Sequence, residues 1–486
     1  MRPSILLVLP IREGHNFVVS PDLGLLYLGT ALKNKGFEVA VLDCPKENFT
    51  FRDFKRFLEE RKFDVVGFRC FSRDHNYVHH HARIAKQVNP NVITLAGGPH
   101  PSELPGFVLT SMPALDFAWQ SEAEEGMPTF LDYVGEYGKE VPGTLLADIP
   151  GLVWRDQTQG RVVANPPAFG SDLESFGLPA WELLRPETYP AFVWGGQYYQ
   201  IVTTRGCPYP CTYCNTPGLS GKKLRHRSIE NVLQELRLLK ERYRIKSFSI
   251  MDDEFTLDRK YAHRLCQAML DSGLGLTFDC PVGVRLDSLT PELIKVMEAA
   301  GCQAIAVGIE SGNDRIQGLI KKKVTVDTIR EKARMVADSS RIAMVGYFMI
   351  GFEDETEEEI WDTINLALEL PLTRANFNIV IPIPGTAIFK DCMQKGQIQL
   401  ETINWDNLTS DQVAFKRNHL SDERLYELQK QAYLRFYRRP HIVWDVTRQT
   451  LGNRAVIHAS IKKLRMLFRR RTREQFTPLY LREAIV

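Results

Sequence analysis

Short apolar runs rich in Val, Ile and Leu recur through the first 135 residues, at Ser4–Pro10, Glu38–Asp43, Val65–Arg69 and Asn91–Ala96. Runs of that length and composition predict strands buried on both faces. Between them, Leu25–Lys35, Phe51–Arg61 and Val78–Val88 place apolar residues at helical spacing, and Gly36 stands where a helix C-cap is wanted. The alternation is βαβ repetition. It predicts a doubly wound parallel sheet whose ligand site lies beyond the carboxyl ends of the strands.

From Val141 to Gly196 the pattern gives way to Pro, Gly and aromatic residues, including Pro166–Pro167, Pro179, Pro186 and Gly195–Gly196, which reads as a connecting segment. A second alternating series follows. Strands are expected at Tyr199–Thr203, Ser247–Met251, Leu276–Pro281, Ala304–Val307, Met344–Ile350 and Asn376–Ile381. Helices are expected at Ile229–Tyr243, Arg259–Asp271, Pro291–Ala300, Val326–Ala337 and Glu357–Leu370. Six strands and five crossovers make a partial parallel barrel, with its chemistry on the loops after the strands. The expected α/β organisation is therefore a first domain over 1–140, a linker over 141–196, a partial (β/α)6 barrel over 197–390 and a helical, basic region over 391–486.

With 486 residues the chain is too long for one compact unit, and 44% apolar with 25% charged residues excludes disorder. The net charge of +2 gives the molecule no general preference for nucleic acid or membrane. The basic end is local: from Arg435 to Glu474 there are twelve Lys or Arg against two acids. No window approaches a spanning helix, and the apolar start is broken by Arg12 and Glu13, so a cytoplasmic protein is expected. An odd count of nine cysteines in a chain of this size points to reduced thiols or metal ligands rather than disulfides.

Three of those cysteines stand together directly after the first barrel strand, in Thr204-Arg205-Gly206-Cys207-Pro208-Tyr209-Pro210-Cys211-Thr212-Tyr213-Cys214. Three thiols on a loop stiffened by two prolines can converge on one centre. Two centres suit them: an iron–sulfur cubane with one iron left open, or a structural zinc completed by a remote ligand such as His226 or Cys280. The spacing CxxxCxxC resembles the signature of the radical S-adenosylmethionine (SAM) superfamily. That resemblance implies that Cys207, Cys211 and Cys214 hold a [4Fe–4S] cluster whose open iron is chelated by SAM. It implies also that an electron from the cluster releases a 5′-deoxyadenosyl radical, and that Tyr213 packs near the adenine.

The later loops resemble the same family in order. Met251-Asp252-Asp253-Glu254-Phe255-Thr256 supplies acids where the family holds the SAM ammonium, and Arg285 in Gly283-Val284-Arg285-Leu286-Asp287 suits a carboxylate. Gly308-Ile309-Glu310-Ser311 matches the segment that contacts ribose, and Ile381-Pro382-Ile383-Pro384-Gly385-Thr386 follows the sixth strand, where relatives close around the adenine. Implied SAM-binding residues are thus Tyr213, Asp253, Glu254, Arg285, Gly308, Glu310, Ser311 and Pro384. No catalytic acid or base is assigned.

The first domain resembles the Rossmann-like cobalamin-binding domain that precedes many radical SAM barrels. The matching phrases are Ser20-Pro21-Asp22-Leu23-Gly24-Leu25-Leu26-Tyr27-Leu28, Asp64-Val65-Val66-Gly67-Phe68, Leu95-Ala96-Gly97-Gly98-Pro99-His100 and Ser121-Glu122-Ala123-Glu124-Glu125. Gly24, Gly97 and Gly98 are the implied cobalamin contacts, since a backbone without Cβ can approach a bulky ligand. The D-x-H-x-x-G text of free-standing cobalamin modules is absent; Glu13-Gly14-His15-Asn16-Phe17-Val18 is its nearest counterpart, and His15 reads as a loop histidine. His79, His80 and His81 are consecutive on a helix and point in different directions, which argues against a shared metal with His75. Cys44 and Cys70 at strand ends read as packed small groups.

The resemblance implies a cobalamin-dependent radical SAM methyltransferase acting on an unactivated carbon, supplied with electrons by a reductant such as flavodoxin or ferredoxin. Methylcobalamin would carry the methyl group. The expected substrate is a small molecule or a lipid, for example hopanoid-like, with no nucleic-acid partner. Alternatives are a ring-forming or oxidative enzyme like the anaerobic porphyrin cyclases, or a carbon–carbon coupling enzyme without bound cobalamin. A methylthiotransferase is disfavoured because the first domain lacks a second three-cysteine set. The phrase Ala432–Pro440 also recurs in cobalamin-type relatives. Val456–Arg470 reads as a basic amphipathic helix, suited either to an anionic membrane surface or to packing on the barrel.

Overall fold

The β-branched runs of the first domain pair side by side as five parallel strands: β1 (Ile5–Leu9), β2 (Val39–Asp43), β3 (Val65–Arg69), β4 (Ile93–Gly97) and β5 (Phe117–Trp119). The computed structural model describes residues 2–12, 19–189, 199–408 and 415–450. Helices cover both faces of this sheet, so β1 is buried along its whole length. The helix Leu23–Asn34 starts where the Asp22 carboxylate accepts the Leu25 N–H at 3.0 Å, and Phe51–Glu60 starts with a reciprocal Thr50–Asp53 capping box.

The segment 141–196 does more than connect. Within it β6 (Leu152–Asp156) and β7 (Arg161–Ala164) form an antiparallel hairpin that extends the first sheet, giving the order β2-β1-β3-β4-β5-β6-β7. The sequence pattern hid this hairpin because β7 is half-exposed and β6 carries Trp154, Arg155 and Asp156 rather than an uninterrupted aliphatic run. Farther on, Trp181, Leu184 and Tyr189 join the core of the second domain together with Leu26, so this stretch straps the two sheets together.

The second domain is an open, all-parallel sheet in the order β8-β11-β12-β13-β14-β15. Its strands are β8 (Gln200–Ile201), β11 (Ser247–Ile250), β12 (Thr277–Val284), β13 (Cys302–Glu310), β14 (Ala343–Ile350) and β15 (Arg374–Ile379). A small antiparallel pair, β9 (Thr204–Arg205) and β10 (Arg225–His226), brackets the cysteine loop. The five expected crossover helices are all present, Ile229–Tyr243 and Arg259–Asp271 with the expected bounds. On β14 and β15 every second residue is buried beneath the helices, which leaves Tyr347, Met349, Asn376 and Asn378 on the inner side.

An open barrel exposes the backbone of its last strand. Here the helix Asp422–Tyr437 covers that edge with side chains: the Gln429 amide donates to Phe377 O at 2.8 Å, the Tyr437 hydroxyl to Ala375 O at 3.0 Å, and the Phe377 N–H to Tyr433 Oη at 3.1 Å. At the other edge, a fully buried ion pair joins the strap to the barrel. Arg227 Nη1 lies 2.5 Å from Glu235 Oε2, the Trp181 indole donates to Glu235 Oε1 at 3.1 Å, and Arg227 also donates to Tyr27 Oη at 3.2 Å. No helix among the described residues is long and apolar enough to cross a membrane. His15 and the basic helix expected over 456–470 lie outside the described residues.

In the loop after β14, the Glu355 carboxylate accepts the Gly351 and Phe352 N–H groups at 2.6 and 3.1 Å, and burial pushes its carboxyl up to about 8. A carboxyl raised in the folded state favours folding most below its unfolded value of about 4.3 and costs stability as the pH climbs to its folded value. We expect this group to remove about 1.4 kcal/mol of stability per pH unit across that window. Denaturant unfolding between about pH 5 and 8 should show a shallower decline in Glu355→Gln than in the parent chain; equal slopes would acquit this carboxyl.

Candidate active site

The order of the first sheet reverses between β1 and β3, and a crevice opens at such a switch point beyond the strand ends. A cavity of about 350 Å³ occupies it, lined from this side by Leu9, Arg12, Ser20–Gly24, Asp43, Arg69 and Phe71. Its opposite wall is Gln200, Val202 and Met251, at the carboxyl ends of β8 and β11. The two domains therefore face each other across one space, carboxyl end to carboxyl end. Guanidinium groups crowd one ring of the wall: Arg12 lies 4.9 Å and Arg69 4.8 Å from the Phe71 centroid. Arg12 is neutralised by Asp74 at 2.7 Å, while Arg69 reaches Asp22 at 3.4 Å and its buried Nε has no hydrogen-bond partner among the described residues.

Of the implied cobalamin contacts, Gly24 lines this cavity. Gly97 and Gly98 sit one strand over, at the end of β4; a Cβ on Gly98, whose φ is +108°, would come within 2.6 Å of Nη1 of Arg69, which lines the cavity. Cys44 and Cys70 are fully buried core groups. His81 is enclosed by Phe51, Phe54 and Phe68, whereas His75 meets His100 (Nδ1 to Nε2, 2.9 Å) against Trp405. The histidines thus divide between two aromatic nests.

The cysteine loop leaves β9 on the far side of the cavity. Gly206 turns it with φ +101°, where an added Cβ would stand 2.3 Å from Lys223 O, and its N–H is accepted by Asp253 at 2.9 Å. The Cys207 N–H then bonds Gly221 O at 3.1 Å. Thr212 bonds in two directions, its N–H to Ile320 O at 3.1 Å and its carbonyl to the Ile388 N–H at 3.2 Å. Cys207, Cys211 and Cys214 are half-buried and unbridged. Burial pushes the Cys207 thiol up to about 11 and raises that of Cys211, the latter opposed by the charges of Lys322 and Arg285. The Thr216 N–H points at Cys214 Sγ from 3.5 Å, the kind of donor that a cluster thiolate takes. This donor set, three soft sulfurs with a backbone N–H trained on one of them, fits an iron–sulfur cluster.

The first domain grips the root of this loop. Glu122 accepts from Arg205 at 3.1 Å and from Arg225 at 2.7 and 2.8 Å, and Glu124 accepts from Arg205 at 3.0 Å. Ser121 adds a bond from its hydroxyl to Gly218 O at 3.0 Å. The Ser121–Glu125 phrase is therefore an interdomain clamp.

The acids after β11 divide their work. Asp252 is buried, accepts from the Thr203 N–H at 2.6 Å and the Thr204 hydroxyl at 2.9 Å, and is pushed up to about 6 by burial. Asp253 holds Gly206. Glu254, raised to about 7 by burial, accepts from the Thr256 hydroxyl at 2.8 Å and the Arg285 N–H at 3.3 Å. Arg285 lies 3.9 Å over the Tyr209 ring, pairs with Asp287 at 3.0 Å and donates to Lys322 O at 2.7 Å. The Tyr213 hydroxyl donates to Glu310 Oε1 at 2.9 Å, and Lys322 Nζ reaches the same oxygen at 2.9 Å. Gly308 is needed beside them, since its Cβ would meet Glu310 Oε1 at 2.5 Å. Ser311 is fully buried, and its hydroxyl meets that of Thr363 at 3.1 Å. Pro384 is buried in the loop after β15; the next residue, Gly385, has φ +88° and lies against Glu103 of the first domain.

Tyr213, Glu310, Arg285 and Glu254 thus gather around the cysteine loop, Asp253 bonds its Gly206 N–H, and Ser311 is buried beside Thr363. Sequence reasoning missed Lys322, Arg12, Arg69 and Glu103. Arg69 is the last residue of β3 and could have been found from strand-end position; Lys322, inside Lys321-Lys322-Lys323, reads as a solvated charge run.

Comparison with known proteins agrees with this geometry. Residues 201–367 match the radical SAM superfamily and residues 18–131 the B12 binding domain. An uncharacterized methyltransferase of Pyrococcus horikoshii is 30% identical over 90% of this chain and 94% of its own length. The chain belongs to the radical SAM superfamily. Its similarity extends to the cytidylyl-2-hydroxyethylphosphonate methyltransferase of Streptomyces wedmorensis, 28% identical over 78% of this chain and 79% of that protein. Among solved structures, the cobalamin-dependent S-adenosylmethionine radical enzyme OxsB, with aqua-cobalamin and S-adenosylmethionine bound, shares the fold with a TM-score of 0.70, at 16% identity over 89% of this chain and 66% of that one.

The radical SAM loop depends on one backbone conformation. Gly206→Ala would place a side chain in the left-handed region, at a cost of about 1–2 kcal/mol, and drive it into Lys223 O. Anaerobic reconstitution is expected to load this variant with far less iron than the parent chain, while its melting temperature drops by only a few degrees, about 2–4 °C per kcal/mol. Equal iron loading would show that the loop tolerates another path.

Proposed function

We propose that this radical SAM enzyme is a cobalamin-dependent methyltransferase that places a methyl group on an unactivated carbon. The observation that carries the reading is the shared cavity: the first sheet's switch point opens onto the carboxyl ends of β8 and β11, and the cysteine loop begins only a few residues after β8. Cys207, Cys211 and Cys214 would hold the [4Fe–4S] cluster. Glu254, Arg285 and Glu310, with Tyr213, would hold SAM. Gly24, Arg69 and Phe71 would face the corrin. When bound, these cofactors supply a 5′-deoxyadenosyl radical and a transferable methyl group.

The chain's own part is positional. Arg285 is fixed by Asp287, by Lys322 O and by the Tyr209 face, so its guanidinium is preorganised for a carboxylate. Glu310 is aimed by two donors. The first domain would cover the barrel mouth and limit the access of water to the space between them. The inner faces of β12, β14 and β15 bring Asp279, Tyr347, Asn376 and Asn378 to the substrate side, which favours a small molecule with hydrogen-bonding groups over a purely hydrocarbon lipid. An external one-electron reductant of the flavodoxin or ferredoxin kind completes the cycle.

Anaerobically reconstituted enzyme should contain both iron and cobalt. With methyl-labelled SAM and candidate substrates presented as pools, label is expected in a product together with release of 5′-deoxyadenosine. An unlabelled product with a new ring would replace methylation by cyclisation, and iron without cobalt would remove cobalamin from the reaction. Replacing all three cluster cysteines with Ala should abolish 5′-deoxyadenosine.

A further inference from the structure

Both aromatic residues of the cysteine loop are held by cations. Arg285 stacks on Tyr209 at 3.9 Å, and Lys322 stands 3.1 Å from the Tyr213 hydroxyl and 5.9 Å from its ring centroid. Tyr213 lies between Cys211 and Cys214 in the chain, so the ammonium is tied directly to the segment bearing two thiols. The two cations are themselves linked, because Arg285 donates to the Lys322 carbonyl at 2.7 Å. Lys322 is only 7% exposed. Its position is fixed by its own N–H, which bonds Gln317 O at 3.2 Å, while the Gln317 amide donates to Ile309 O and Ser311 O at 2.7 and 2.6 Å.

Burying an ammonium is expensive, and a well-packed apolar side chain serves stability as well or better. What packing cannot supply is a fixed positive charge. Among the described residues Lys322 has one acidic partner, Glu310 at 2.9 Å, and Arg285 has its own in Asp287. The potential of an iron–sulfur cluster follows its net charge and the charges and hydrogen bonds around its sulfurs. We infer that Lys322 is a positioning residue that tunes the cluster: its ammonium, held by Glu310 and Tyr213, makes the cluster easier to reduce. This rests on the assignment of a cluster to Cys207, Cys211 and Cys214.

The test is an EPR-monitored redox titration of the reconstituted, SAM-free protein. Lys322→Met should make reduction harder, with the ratio of reduced to oxidised cluster at a fixed poise falling about tenfold, as expected for loss of one nearby unit charge in partly screened surroundings. Glu310→Gln leaves the ammonium unneutralised and should shift that ratio in the opposite direction. Lys322→Arg should stay near the parent value. Opposite signs in the Met and Gln variants support the inference, and the Gln and Arg variants keep it testable should Lys322→Met fail to fold. Unchanged ratios, or shifts of one sign in both, overturn it. Failure of the parent chain to bind iron would instead overturn the cluster assignment, which the iron content reads separately.

Discussion

A loop with no regular structure has to keep three sulfurs in register. The segment from Gly206 to Cys214 makes no ladder of its own, yet it is bonded to Asp253 after β11, to Ile320 beyond β13, to Ile388 beyond β15 and to Gly221 on the return toward β10. Each such bond contributes about 1 kcal/mol net, too little to fix the loop alone. Their distribution matters more than their sum, because segments following three separate barrel strands, and the return toward β10, must move before the loop can. The clamp of Glu122 and Glu124 on Arg205 and Arg225 adds the first domain to that list.

That clamp also explains how two folds share one site. A doubly wound sheet and a parallel barrel each present their loops at the carboxyl ends of their strands. Facing those ends together encloses a cavity without inserting any new element. The strap through Trp181 and Tyr189 and the buried Arg227–Glu235 pair hold the orientation, and Tyr27 joins both systems by accepting from Arg227 and by lying under Arg205 at 4.9 Å. An error in the packing of the strap would therefore be felt at the cysteine loop.

Periodicity revealed the strands and helices that are long and aliphatic, and the order of the barrel elements followed from it. The hairpin β6–β7 was illegible because its exposed strand has no apolar period, and β5 because it is three residues long. Within the site, spacing singled out the cysteines, whose chemistry requires proximity in sequence. Glu310 and Arg285 were legible only through resemblance. Lys322 and Glu103 act through contacts made between elements, which a single sequence does not display. Ser311 was marked by its motif, and the structure buries its hydroxyl against Thr363, a contact the motif does not display.

Glu310 shows how the pieces constrain one another. It holds φ +67°, a left-handed conformation that costs a residue with a side chain about 1–3 kcal/mol. Charge-assisted bonds from Lys322 and Tyr213 fix the carboxylate in that pose. Both donors address the same oxygen, Oε1, and a carboxylate has acceptor capacity on two. A ligand hydroxyl can therefore bond Oε2 while Lys322 and Tyr213 keep Glu310 in its strained pose, so that binding adds to the network instead of competing with it. The geometry of the ligand contact and the charge beside the cysteines are then set by the same ammonium.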